Sequence, residues 1–284
     1  LCAFMHRPNF RALTAALGLR VPVIISIRNN PEPFYSGRTD KFQVRWLFPH
    51  AAGCVYQTAE QREFFKPYLQ ENSRVIMNPV NRKYIELPDP DYEHQERCVV
   101  QSSRLVDFKN QEMLLRAFAK VHAVHPDWSL KIYGPDSEDG TKEKLEEIIR
   151  ANQAKDWMQL MGGTDRLEEL IPKAAIYALP SNYEGMPNAL MEAMAMGMPC
   201  ISTDCPAGAP RVLIQDGVNG LLIPVRDEAA MTAAILKLIE NPELHRSLGQ
   251  EARKIREIAG TDEIYHQWKD YLEEVIRERE GKKT

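Results

Sequence analysis

Short runs of β-branched and other apolar residues alternate along this chain with stretches that have helical spacing. Such alternation is the signature of parallel α/β units. It predicts strands at residues 21–27, 53–57, 74–77, 98–102, 130–133, 158–161, 175–179, 200–202 and 220–223. It predicts helices at residues 8–17, 59–69, 112–122, 142–152, 167–173, 187–196, 228–239, 242–258 and 262–279. The fold class that follows is α/β, with doubly wound, Rossmann-like sheets.

One segment interrupts the alternation. Residues 78–97 are rich in proline and charge and have no usable period, which is typical of a linker. We therefore predict a Rossmann-like domain over residues 1–80, a linker over 81–97, a second Rossmann-like domain over 98–259 and a helical segment over 260–284. The chain does not begin with Met, and residues 1–4 resemble the end of a strand, so we expect the first domain to be incomplete.

The composition excludes several classes of protein. The formal net charge of -4 does not suit a nucleic-acid binder that neutralises phosphates. Five cysteines without paired spacing favour a reducing compartment, so we expect a cytoplasmic protein. The seven histidines are scattered, and no metal site is predicted. No apolar run reaches the roughly 18 residues that a membrane span needs.

Polar residues and glycines follow several strands of the predicted second domain. In open parallel sheets, ligands bind beyond the carboxyl ends of the strands. Arg104 and Lys109 flank the loop after strand 98–102, ahead of a helix N-terminus, where two cations suit a diphosphate. The alternative is two solvated surface cations. Gly163 lies in a Gly-Gly turn that could present main-chain groups to a nucleobase.

The stretch SNYEGMPNALMEAMAMGMPCIST, residues 181–203, carries two glutamates in apolar company. Glu184 precedes the predicted helix, and Gly185 frees the backbone at a helix N-terminus, which favours an anion. Glu192 projects from the body of a helix that is apolar all round and therefore buried. An unpaired buried carboxylate costs several kcal/mol. Glu192 therefore has a salt bridge, faces a gap in the packing, or finds hydrogen-bond donors on a ligand.

These motifs, taken in order, resemble those of the retaining glycosyltransferases called family four, or group 1. Residues 181–203 resemble the E-x7-E segment of that family, and SSRLVDFKN resembles its phosphate-binding loop, with Ser103 where glycine is usual. Residues 204–227 resemble the turn, helix and N-G-L-L strand that follow. The resemblance covers essentially all of residues 98–258.

The resemblance implies the GT-B architecture, in which two Rossmann-like domains face each other across a cleft. It implies a nucleotide diphosphate sugar as donor, UDP-linked rather than GDP-linked, and no cofactor or metal. Arg104 and Lys109 would hold the diphosphate and stabilise its growing negative charge. Glu184 would bind hydroxyls of the donor sugar, and Glu192 those of the ribose. The backbone around four residues would meet the phosphate or the sugar: Gly185, Met186, Pro187 and Asn188.

Residues 1–80 resemble the acceptor-binding domain of the family, and the last helix is expected to cross back to it. VPVIISIRNNP, residues 21–31, resembles a loop near the reaction centre, which makes Arg28 and Asn29 acceptor-side candidates. Its R-N-N-P form is similar to members that act on polysaccharide or lipid-linked oligosaccharide acceptors. Alternatives are a non-catalytic fragment that binds sugar nucleotides, or a sugar-nucleotide epimerase of the same fold.

One helix carries a separate hypothesis. Residues 38–50 mix the cations Arg38, Lys41 and Arg45 with the aromatic residues Phe42, Trp46 and Phe48. A basic and aromatic helix can lie on the inner face of a membrane. The alternative is an ordinary surface helix that packs its aromatic side chains on the core and leaves its cations outside.

Overall fold

The computed structural model describes residues 1–281 and contains two parallel β-sheets. The first sheet has the spatial order β1-β2-β3-β4 and is parallel throughout. Its strands are β1 (Cys2–Phe4), β2 (Ile24–Ser26), β3 (Gly53–Tyr56) and β4 (Ser73–Val75). Between them lie α1 (His6–Ala16), α2 (Pro31–Tyr35), α3 (Arg38–Leu47), α4 (Ala59–Glu63) and the 3-10 turns Phe48–His50 and Pro67–Leu69.

The segment expected to be a linker contains a helix, α5 (Arg82–Ile85). The Asn81 side chain caps this helix by accepting a hydrogen bond from the Lys83 backbone N–H at 3.1 Å. Tyr84 is buried in the core of the second sheet. The connection between the two sheets is therefore packed against the protein and helps to shape it.

The second sheet has the order β10-β9-β8-β5-β6-β7, again parallel throughout. Its strands are β5 (Glu96–Ser102), β6 (Ser129–Tyr133), β7 (Met158–Gly162), β8 (Ala174–Leu179), β9 (Cys200–Thr203) and β10 (Leu221–Ile223). The helices are α6 (Gln111–Val124), α7 (Thr141–Ala151), α8 (Leu167–Leu170), α9 (Asn188–Ala195), α10 (Ala209–Leu213), α11 (Glu228–Glu240), α12 (Pro242–Ala252) and α13 (Ile255–Ala259), with a 3-10 turn at Ile171–Lys173. The strand order reverses between β5 and β8, and such reversals place a ligand crevice at the strand ends.

Several elements are shorter than their sequence patterns predict. The helix expected over residues 59–69 ends at Glu63, because the residue before Pro67 is driven out of the helical conformation. The helix expected over 242–258 divides into α12 and α13. Helix α9 is buried as its apolar composition predicts, and Gly197, at φ 78°, ends it.

The last helix, α14 (Thr261–Gly281), packs on the first sheet. The Tyr271 hydroxyl accepts a hydrogen bond from the Cys54 backbone N–H at 2.9 Å and donates one to the Asn72 carbonyl at 2.7 Å. Within residues 1–281, none of the helices combines the length and the apolar character needed to cross a membrane.

The chain therefore passes between the two sheets twice, and the two passages are bonded to each other. The Val80 backbone N–H donates to the Ala259 carbonyl at 2.8 Å. The Thr261 hydroxyl donates to the Val80 carbonyl at 2.9 Å, and Val80 forms a parallel bridge with Gly260. This paired contact is the junction of the two domains.

Candidate functional site

A cavity of about 240 Å³ lies beyond the carboxyl ends of β5, β6 and β7. Four of the predicted donor-binding residues line it, namely Arg104, Gly163, Asn188 and Glu192. The cavity also has contributions from Ser102, Ser103, Tyr133, Gly134, Pro135, Thr164, Leu167 and Ala189. Of the four residues that the strand-end argument places at one crevice, Arg104 and Gly163 line this cavity, whereas Lys109 and Glu184 do not.

The floor of this cavity depends on Gly134. A Cβ atom on Gly134 would lie 1.7 Å from the Ser103 carbonyl oxygen, so only glycine allows the two loops to approach. The Gly134 backbone N–H donates to Gly162 at 2.8 Å, and that of Ser103 donates to Tyr133 at 2.9 Å. The loops after β5, β6 and β7 are thereby bonded into one rigid surface.

Glu192 lies in the cavity wall, half-buried. Burial raises the pKa of this carboxyl above its ordinary value, and nearby Lys83 and Tyr84 of α5 act in the opposite direction. The Lys83 ammonium itself pairs with Glu168 at 2.6 Å. Among the residues that the structure describes, Glu192 has no ion-pair partner. The alternative of a salt bridge at Glu192 is therefore wrong for these residues.

Lys83 and Tyr84 are site residues that the sequence reasoning missed. Both belong to α5, whose four residues are too few to show a helical period. The available signal was Asn81, a preferred N-cap residue, directly before the helix.

We expect Glu192→Gln to raise the free energy of unfolding at neutral pH. A carboxyl whose pKa is higher in the folded chain than in the unfolded chain lowers the stability of the fold as the pH rises. The loss occurs between its ordinary pKa of 4.5 and its raised pKa. The amide of the variant carries no charge that has to be buried, so its advantage in the free energy of unfolding should vanish below pH 4.5. Urea unfolding across pH measures it, with exposed Glu71→Gln as the control. A variant less stable than wild type at neutral pH would contradict this environment.

Lys109 and Glu184 do not line this cavity and instead pair with each other. The Lys109 ammonium is 2.6 Å from Glu184 Oε1, and the Ser181 hydroxyl donates to the same oxygen at 2.6 Å. The two charged side chains are 15% and 7% exposed. Arg104, in contrast, is exposed and has no ion pair within residues 1–281. The three residues predicted to be catalytic therefore divide into one accessible cation and one buried pair.

The loops that carry the pair are tied across the point where the strand order reverses. The Asn182 backbone N–H, after β8, donates to the Phe108 carbonyl, after β5, at 2.8 Å. Asn110 has a left-handed backbone at φ 52°, which asparagine tolerates, and its amide donates to Asn182 at 3.3 Å. These bonds hold Lys109 over Glu184.

Arg28 and Asn29 lie against the Glu184–Gly185 loop from the other domain. A Cβ atom on Gly185 would lie 2.3 Å from the Arg28 carbonyl oxygen and 3.0 Å from the Asn29 Cα. The requirement for glycine here comes from this close approach of the two domains. Met186 is buried in the core of the second domain, and Pro187 is the residue that precedes α9.

The Arg28 side chain bridges the domains through two amides. Its guanidinium lies over the neighbouring rings of Phe4 and Trp268, 5.1 and 5.4 Å from their centroids, and burial lowers its pKa to about 10. It donates to Asn78 Oδ1 at 2.7 Å, and Asn78 Nδ2 donates to Asn188 Oδ1 at 2.6 Å. The acceptor-side candidate Arg28 is thus bonded, through Asn78, to a cavity residue.

Gly185→Ala is expected to destabilise the contact between the domains by about 1–3 kcal/mol, the usual cost of overpacking. The added methyl meets the Arg28 backbone, which cannot rotate away as a side chain could. Thermal unfolding measures the loss. Gly163→Ala is the matched control, because its Cβ would lie 3.5 Å from Pro135, an ordinary contact. Equal stability of the two variants would show that the domains are not in contact here.

Among residues 1–281, no group of three or more His, Cys, Asp or Glu side chains is placed to hold a metal ion. The fold and site define a two-domain α/β protein with a cavity at the strand ends of its second domain and a second cavity between the domains, lined by Asn30 and Glu32 of the first and by Phe108 and Asn182 of the second. Residues 87–255 match the family model described as "Glycosyl transferases group 1". This is more than half of the chain, and the chain belongs to that family.

Individual relatives agree with this assignment. An uncharacterized glycosyltransferase of Haemophilus influenzae is 29% identical over 63% of this chain and 49% of its own length. The GtfA subunit of the UDP-N-acetylglucosamine–peptide N-acetylglucosaminyltransferase of Streptococcus pneumoniae is 32% identical over 76% of this chain and 43% of its own length. The chain therefore spans less than half of either relative.

A solved structure supports the fold. The crystal structure of Anabaena Alr3699/HepE in complex with UDP and glucose superposes with a TM-score of 0.85 and 17% identity, covering 96% of this chain and 78% of that one. The predicted α/β, GT-B-like fold and the predicted family are confirmed.

Proposed function

We propose that this chain is part of a retaining glycosyltransferase that moves a sugar from a UDP-sugar to a saccharide or lipid-linked saccharide acceptor. The observation that carries the proposal is the cavity beyond β5–β7, which is lined by the exposed cation Arg104 and by the half-buried carboxylate Glu192. A nucleoside diphosphate matches both, because its phosphates attract the cation and its ribose hydroxyls supply donors to the carboxylate.

The names of similar proteins support a UDP-linked donor. The pneumococcal GtfA relative is named for UDP-N-acetylglucosamine, and the Anabaena structure contains UDP and glucose. In the proposed complex the diphosphate lies at Arg104, and the sugar points toward the Lys109–Glu184 pair. Binding would open this pair, so that Lys109 turns to the diphosphate and Glu184 accepts hydrogen bonds from the sugar.

The proposed chemistry is electrostatic. Positive charge develops on the anomeric carbon while negative charge grows on the leaving diphosphate. Preorganised cations aimed at the growing charge lower the barrier without having to reorganise during the reaction. Arg104 and Lys109 supply these charges, and the acceptor hydroxyl attacks from the same face with the leaving phosphate as its base. In this proposal no metal or further cofactor takes part.

The acceptor would enter from the first domain. Arg28 and Asn29 lie against the Glu184–Gly185 loop, so an acceptor held beside them reaches the donor sugar. We place the protein in the cytoplasm, at the inner face of a membrane when the acceptor is lipid-linked.

A second candidate is a fragment that binds UDP-sugars without transferring them. The observation in its favour is that the chain spans less than half of the two relatives described above.

Incubation with a panel of UDP-sugars, followed by product analysis and calorimetry, tests the proposal. Transfer or slow donor hydrolysis, unchanged by EDTA, is expected. Binding without turnover selects the second candidate, and a 2-epimer selects an epimerase. No binding of UDP or of any UDP-sugar overturns the proposal. Glu192→Gln should weaken UDP binding by the roughly 1.5–3 kcal/mol of a charge-assisted hydrogen bond, even when no sugar is attached.

A further inference from the structure

Positive charge is concentrated at the start of the chain. Residues 1–50 contain seven Lys and Arg residues and two carboxylates, Glu32 and Asp40, although the whole chain has a net charge of -4. Asp40 is paired with His6 at 3.0 Å. The first domain therefore presents a basic surface on a protein that is acidic as a whole.

Helix α3 concentrates these cations together with exposed aromatic side chains. At about 100° per residue, Arg38, Lys41, Phe42, Arg45 and Trp46 fall within an arc of ~140°. Phe42 and Trp46 are each 61% exposed, and their rings lie side by side with centroids 5.9 Å apart. The helix has no fully buried residue. The alternative that the aromatic side chains of residues 38–50 pack on the core is therefore wrong for Phe42 and Trp46, and it is right for Phe48.

A cavity of about 420 Å³ adjoins this helix. Its charged lining residues are all cations, Lys41, Arg45 and Lys66, and no carboxylate lines it. None of the three cations has an ion pair within the part of the chain that the structure describes. Phe64 and Tyr68, which are 40% and 45% exposed, form an aromatic rim. The cavity thus suits a ligand that is anionic at one end and apolar at the other.

We infer that the α3 arc and this cavity form a docking surface for an anionic lipid bilayer. One lipid headgroup phosphate would enter the cavity between the three cations, and Phe42 and Trp46 would insert at the level of the headgroups. A soluble polyanion would match the cations equally well but would leave the two aromatic side chains in water. The inference rests on the proposed function, because a lipid-linked acceptor would be presented to the protein at a membrane.

The 284-residue chain is tested with vesicles of mixed phosphatidylcholine and phosphatidylglycerol, in the absence of donor and acceptor. Binding is expected for the mixed vesicles, with loss at high salt, and not for phosphatidylcholine alone. Each cation near an anionic surface contributes about fivefold to binding. The triple variant Lys41→Gln, Arg45→Gln, Lys66→Gln should therefore bind about 100-fold more weakly. The matched control is Lys144→Gln, Lys155→Gln, Lys237→Gln, on exposed lysines of the other domain.

Insertion has its own readout. Tryptophan fluorescence should shift to the blue on addition of mixed vesicles, and Trp46→Phe should abolish the shift. Phe42→Ser with Trp46→Ser should weaken vesicle binding, whereas Tyr265→Ser, at an equally exposed aromatic residue, should not. Circular dichroism checks that each variant is folded.

Equal vesicle affinity of the triple variant and its control would overturn the inference, as would binding of a soluble polyphosphate through the same cations without vesicle binding. Neither result bears on the donor cavity. Conversely, vesicle binding by a chain that does not bind UDP would sustain this surface while the proposed function fails.

Discussion

Arg104→Ala is expected to lower the rate of sugar transfer, or of slow donor hydrolysis, by about two orders of magnitude or more. The proposed contact strengthens as the leaving diphosphate gains charge, and an interaction that grows in the transition state appears in turnover more than in ground-state binding. The size is that of losing one preorganised oxyanion donor. Because Arg104 is exposed and without an ion pair in residues 1–281, the stability of the fold should change little.

Steady-state kinetics with a UDP-sugar measure this effect. Arg104→Lys should rescue little, since a point charge does not reproduce the planar bidentate fork of a guanidinium. Arg150→Ala, an exposed arginine on α7, is the control and should retain wild-type turnover. Wild-type turnover in Arg104→Ala would mean that the diphosphate does not bind at Arg104.

Lys109→Met should lower the free energy of unfolding by about 3–5 kcal/mol, the usual cost of leaving one member of a buried pair without its partner. In the wild type the Glu184 carboxylate accepts hydrogen bonds from the Lys109 ammonium and from the Ser181 hydroxyl. In the variant it stays buried and keeps only the bond from Ser181. Adding Glu184→Gln removes the uncompensated charge, so the double variant should recover most of the loss.

A double-mutant cycle by urea unfolding separates these effects. The coupling between the two positions should account for most of the loss in Lys109→Met. Additive effects would mean that the two side chains are not paired in solution. Both single variants should also lose sugar-transfer activity, so a loss of turnover alone does not identify the ion pair. The coupling free energy measured by unfolding does identify it.

The sequence predicts well those features that depend on local pattern. The β-branched runs locate the strands, because a strand buried on both faces has to be apolar throughout. Helix α9 has an apolar surface on all sides, and its burial follows directly. Arg104 and Gly163 could be placed together because the carboxyl ends of parallel strands meet at one edge, whereas Lys109 and Glu184, grouped with them by the same argument, do not line the cavity.

Features that depend on contacts between distant segments could not be predicted in this way. Nothing in the local sequence of Lys109 shows that its ammonium reaches Glu184, because that distance is set by the packing of two loops. Gly185 has a partner in the other domain, and sequence spacing contains no such information. The amphipathic pattern of α3 shows that it has two faces but not that Phe42 and Trp46 lie on the exposed one.

The junction at Val80 and Gly260 limits how the two domains can move. Since both chain passages go through one bonded point, relative displacement reduces to rotation about an axis there. Displacement in a rotation grows with distance from the axis. Tyr84 belongs to the short helix α5, directly after Val80, and is close to Glu192, so this wall of the cavity lies near the axis. Such a rotation would break contacts that join separate stretches of chain, such as that of Gly185 with Arg28 and the hydrogen bond from the Thr58 hydroxyl to the Ala207 carbonyl at 2.8 Å. In the proposed complex, this rotation would let an acceptor enter and leave while the nucleotide stays bound.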